Sequence, residues 1–118
     1  KAQQIAQDAL TQYGDQVEVI FCNNDAMALG ALQAIEAAGR TVNKDIYLEG
    51  VDALTEAVQN VLDDKQTGTV FNDHLSQART ASDLAIKFLQ GEAVDNVNMV
   101  DYIKVTKANA QEILDKLK

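Results

Sequence analysis

Short runs of β-branched and aromatic residues alternate along the chain with longer stretches whose apolar residues recur every three or four positions. In "KAQQIAQDALTQYG" the residues Ala2, Ile5, Ala6, Ala9 and Leu10 share one helical stripe, and Gly14 supplies a stop signal. "VEVIF" comes next, a run suited to a buried parallel strand, and a helix follows over about 25–38 with Gly39 at its end. "DIYLEGV" predicts a second strand and about 54–64 a third helix. "GTVF" predicts a third strand, ahead of a helix over about 76–89 that stops at Gly91. After a polar loop, a strand around "MVDYIKV" and a last helix over about 108–117 complete the pattern.

Short strands alternating with longer helices argue for an α/β fold, a doubly wound parallel sheet with right-handed crossovers. The chain opens on a helix, and its first strand reads as an interior one with no neighbour before it, so a piece of a larger domain is expected. Its 118 residues and 47% hydrophobic content fit that size class. Ten basic against eighteen acidic residues leave a net charge of −8, scattered along the chain, which argues against nucleic acid as a partner. The apolar runs are far shorter than the roughly 20 residues needed to cross a bilayer. Cys22 is the only cysteine and sits in a strand-like run, so it reads as a buried thiol, with no intrachain disulfide or thiolate cluster to form.

Three strand ends are unusually polar. "VIFC" runs into Asn23, Asn24 and Asp25, "YLEGV" into Asp52, and "GTVF" into Asn72, Asp73 and His74. In an open parallel sheet, ligands bind beyond the carboxyl ends of the strands. Amides and carboxylates accept hydrogen bonds from hydroxyls, and amides also donate to them, which suits a polyhydroxylated ligand. Helix capping competes with this reading, because Asn and Asp are preferred N-caps; it is the favoured reading for Asp25 and stays open for Asn24 and Asp52. Glu18, inside "VEVIF", would be costly if buried without a partner, which points to a cation; an edge-exposed or lysine-paired glutamate is the alternative.

"VIFCNNDAMALGALQAIEAAG", "EGVDALTEAV" and "GTVFNDHLSQA" together resemble the C-terminal part of bacterial periplasmic glucose/galactose-binding proteins, the solute receptors of sugar ABC transporters. The resemblance implies a partial type I periplasmic-binding-protein fold. It assigns residues 1–71 to the C-terminal lobe, 72–100 to a segment that crosses to and packs on the N-terminal lobe, and 101–118 to the return. It implies that Asn24 and Asp52 bind ring hydroxyls of a monosaccharide and that Asn72 contacts the sugar where the chain crosses between lobes. It also implies that Glu18 completes a structural Ca²⁺ site whose other oxygens lie upstream, so that the site cannot close in this chain alone. Implied partners are the ABC permease and either the missing N-terminal part or a swapped copy, covering the helix that carries Leu84, Ala85 and Phe88. A periplasmic or lipid-anchored extracytoplasmic location follows from the same likeness.

Glu49 and Thr55 depart from the family, which often has an apolar or aromatic residue and a proline there, and His74 and Leu75 stand where small or amide residues are common. The chain has no Trp, and Tyr13, Tyr47 and Tyr102 are not placed by the family pattern to stack on a sugar, so weak binding by these residues alone is expected. Catalysis is not expected, because no phosphate-cradling loop, nucleophile elbow, zinc histidine pair or Cys–His pairing appears. The effector domain of a sugar-responsive repressor shares "NDAMALGAL" but usually has Tyr or Phe at the position of Val51. A ribose-type receptor tends to have glutamine at the position of Asn72.

Overall fold

A computed structural model describes residues 1–118. Helix α1 (Ala2–Tyr13) buries Ala6 and Leu10, one turn apart on its apolar stripe, and ends at Gly14. Strand β1 (Val19–Phe21) leads to α2 (Asp25–Ala37), then β2 (Tyr47–Glu49), α3 (Thr55–Leu62) and β3 (Thr69–Phe71). Helix α4 (His74–Leu89), β4 (Ile103–Val105) and α5 (Ala110–Lys116) follow. All the helices and strands expected from the periodicity are present, in the expected order. Each strand is only three residues long, because pairing ends sooner than the apolar runs do.

β1 and β2 pair in parallel, Val19 opposite Tyr47 and Phe21 opposite Glu49. β3 continues beside β2 through parallel bridges at Glu49–Gly68 and Asp52–Phe71, and β4 hydrogen-bonds to β3. Alternation is visible in β2, where Leu48 is fully buried while Tyr47 on the opposite face is exposed.

Within this chain β1 pairs with β2 alone, and Val19 and Phe21 are 57% and 69% exposed, so the run read as an interior strand without its neighbour has an open edge here and lacks the burial expected of it. β-Branched and aromatic content predicts an extended backbone, whereas burial depends on how many neighbours the strand pairs with.

One hydrophobic cluster joins Ala6 and Leu10 of α1 to Ala28, Ala31, Leu32 and Ile35 of α2 and to Ile46 and Leu48. A second set of buried side chains comes from α3 (Ala57, Val58, Val61), Phe71, Val105 and α5 (Ile113, Leu114). Arg40 ties the loops around the first cluster, donating through Nη1 to the carbonyls of Gly14 (3.2 Å) and Val17 (2.6 Å) and through Nη2 to that of Asp45. Cys22 is buried as expected, and burial, then the charge of Asp25, pushes its thiol pKa up.

The chain divides into two compact units, Lys1–Phe71 with Lys104–Lys118, and Asn72–Ile103. In the second, α4 has no buried residue, and Phe88 and Leu89 are 68% and 83% exposed. Its amino end is capped by Asp73, which accepts from the Ser76 amide at 2.9 Å. No helix is long and apolar enough to cross a membrane.

Candidate functional site

Asn24 and Asp52 stand just past the carboxyl ends of the neighbouring parallel strands β1 and β2. Asn24 is the N-cap of α2: its backbone is extended (φ −154°) and its Oδ1 accepts the Met27 amide at 2.9 Å. Capping therefore applies to Asn24, and it leaves the Nδ2 amide of this half-buried side chain to donate elsewhere.

Asp25 was expected to cap the helix and does not. It is the first residue of α2 and fully buried, and its carboxylate reaches away from the helix into the neighbouring strands. Oδ2 accepts from the Leu54 amide at 2.8 Å; Oδ1 accepts from Thr69 Oγ1 at 2.8 Å and Gln66 Nε2 at 3.2 Å. Gln66 Nε2 also donates to the Gly68 carbonyl at 3.0 Å, while its Oε1 is buried without a partner. Burial pushes the Asp25 carboxyl above its ordinary value; the hydrogen bonds from Thr69, Leu54 and Gln66 pull it back, and the charge of Asp52 adds to the rise.

Asp52 caps nothing, because α3 begins after Leu54 and has no side-chain cap. Its side chain is exposed and its backbone takes φ 109°, followed by Ala53 at φ 55°. Two successive non-glycine residues at positive φ are uncommon and cluster at functional sites. The result is an exposed carboxylate presented beyond the strand ends. Asn72 directly follows β3 and opens the second unit, where its half-buried Oδ1 accepts from Gln77 Nε2.

Glu18 precedes β1 with its side chain exposed, so the argument from burial cost does not apply to it. No group of three or more His, Cys, Asp and Glu residues could hold a metal ion. A calcium ion wants about six to eight oxygens and one glutamate offers at most two, so these residues do not by themselves form its site. Glu49, the departure in front of "GVD", is half-buried, and burial raises its carboxyl pKa.

Sequence reasoning missed Gln66, Thr69 and Gly50. Gln66 and Thr69 are fully buried polar residues beside an apolar run, and Gly50 precedes Asp52 by two positions; each is a signal once the strands are known to be adjacent.

Parallel strands with polar ends and an acidic loop at positive φ make up an α/β domain, and the comparisons give its family. Residues 1–93 match the periplasmic binding protein domain family, and the chain belongs to that family. It is 37% identical over 107 residues to the D-galactose/methyl-galactoside binding periplasmic protein of Haemophilus influenzae, covering 83% of this chain and 31% of that one. The ribose import binding protein of Salmonella typhi is 33% identical, over 91% of this chain and 35% of its own. A Caulobacter myo-inositol binding protein solved with myo-inositol superposes with a TM-score of 0.81 at 34% identity, over 94% of this chain and 38% of its own. The fold is thus the α/β fold of periplasmic binding proteins, and the chain spans about a third of the length of these curated relatives.

Proposed function

We propose that these residues are part of an extracytoplasmic solute-binding protein that captures a monosaccharide, D-glucose or D-galactose first among candidates, and delivers it to an ABC permease. The observation that carries this is the pairing of Asn24 and Asp52 at adjacent parallel strand ends, one offering an amide donor and the other an exposed carboxylate. A hydroxyl donating to Asp52 makes a charge-assisted bond worth about 1.5–3 kcal/mol. Asn72 is a third contact in this proposal, and the lobes close on the sugar as a ligand-driven population shift.

Similarity to a protein named for myo-inositol, at an identity close to that of the galactose protein, favours a second reading in which the ligand is a cyclic polyol. Calcium enters only as an ion for which Glu18 is one ligand, together with oxygens outside these residues. Melting of wild type and Glu18→Gln with and without the ion tests that part, and equal melting throughout rejects it.

Calorimetric titration of D-glucose, D-galactose, D-ribose and myo-inositol into the full-length protein tests the main reading. Tight binding of a hexose supports it, tight binding of myo-inositol selects the second, and silence toward all four overturns both.

A further inference from the structure

Resting on the monosaccharide reading, we propose that Asp25 is a positioning residue: it touches no ligand but holds the Asp52 loop in the backbone conformation that presents the Asp52 carboxylate. The loop is gripped at four consecutive residues. The Val51 carbonyl accepts from the Asp25 amide at 2.7 Å, and the Asp52 amide donates to the Val70 carbonyl at 2.9 Å. The Ala53 amide donates to Thr69 Oγ1 at 3.3 Å, and the Leu54 amide to Asp25 Oδ2 at 2.8 Å. Thr69 Oγ1 in turn donates to Asp25 Oδ1, so the Asp25 carboxylate controls two of the four ties, one directly and one through a hydroxyl, while its backbone amide makes a third.

Neither Asp52 nor Ala53 is glycine, yet both sit at positive φ, and such geometry persists only where the surroundings over-determine it. Asn24 already caps α2, so the helix does not need a second acceptor at Asp25. A fully buried carboxylate is unfavourable in itself, and here its two oxygens serve three donors from two segments, Leu54 after β2 and the stretch 66–69 that leads into β3. Asparagine in its place would replace one of those oxygens with a donor group facing Thr69 and Gln66, or facing the Leu54 amide.

The test is amide hydrogen exchange on the full-length protein, paired with calorimetric titration of D-glucose and D-galactose, for wild type, Asp25→Asn, Asp52→Asn and the double variant. In Asp25→Asn the Ala53 and Leu54 amides should exchange on the order of ten-fold faster while Leu48 and Ile35 keep their protection. Sugar affinity should fall on the order of ten-fold, and the loss should nearly vanish when Asp52 is already Asn, because Asp25 acts through it. Uniform acceleration of all amides, no acceleration, or additive affinity losses would overturn the proposal in favour of a general stabilising role. If wild type binds neither sugar, the functional reading fails on its own, and exchange confined to residues 52–54 still decides for or against Asp25. Should Asp25→Asn fail to fold, Thr69→Val removes one tie and predicts the same local pattern on a smaller scale.

Discussion

Oδ1 of Asp25 occupies the space into which a side chain on Gly50 would grow: a Cβ built on Gly50 stands 2.1 Å from that oxygen and 2.9 Å from Nε2 of Gln66. The requirement is for space and not for backbone freedom, since Gly50 is not among the glycines at positive φ. Gly50→Ala should therefore push the Asp25 carboxylate off its donors. Overpacking and broken buried hydrogen bonds together predict a loss of about 2–4 kcal/mol, read from the midpoint of urea unfolding. A variant as stable as wild type would mean that Asp25 moves without cost.

Asn24 has two roles that substitution can separate. Asn24→Asp keeps the oxygen that caps α2 and discards the amide donor, so stability should stay within about 0.5 kcal/mol while sugar affinity falls. Asn24→Ala should lose about 1 kcal/mol of stability as well. Thermal melts and titrations on the two variants read both effects. Unchanged affinity in Asn24→Asp would leave Asn24 with the cap alone.

Asp52→Asn preserves shape and removes charge. Because the side chain is exposed and caps no helix, stability should change by less than about 0.5 kcal/mol. Affinity for the sugar should drop about ten- to hundred-fold, as expected for losing a charge-assisted hydrogen bond. Binding equal to wild type would take Asp52 out of the site.

Glu49 makes a pH prediction whose sign follows from its raised pKa. Its folded value lies above the ordinary 4.5, so the neutral form fits the fold better. The stability this group contributes is fully present below pH 4.5 and is lost as pH rises through the folded value. Glu49→Gln, neutral throughout, should be more stable than wild type at pH 7 and should lose that advantage below pH 4.5. Urea unfolding of both proteins across this range gives the difference directly; an advantage that does not depend on pH would point to packing and not to charge.

Local patterns carried much of the fold. The spacing of Ile5, Ala9 and Leu10, the runs "VEVIF" and "GTVF", and the stops at Gly14, Gly39 and Gly91 placed every element within a few residues. They did so because a helix and a strand impose different periods on the same apolar residues. The placement of Asn24 and Asp52 just past strand ends was also legible, since polar residues at strand ends need no knowledge of distant neighbours to be noticed. Asp25 was misjudged for the converse reason: capping is a local habit of Asp, and its partners Leu54, Gln66 and Thr69 lie 29 to 44 positions away. The burial expected of "VEVIF" is not met at Val19 and Phe21, because burial depends on the neighbours a strand pairs with and β1 pairs here with β2 alone.

By itself, then, the sequence determined the order of helices and strands, the acidic charge, and which strand ends carry polar side chains. These follow from residue periodicity and residue chemistry, which act over a few positions. Only the tertiary structure decided that Asp25 is buried and ties α2 to the β2–α3 loop and β3, that Gly50 makes room for it, and that Asp52 and Ala53 are held at positive φ. Such features depend on which segments the sheet brings side by side, and hydrogen-bond partners tens of residues apart are chosen by that packing and not by the local chain.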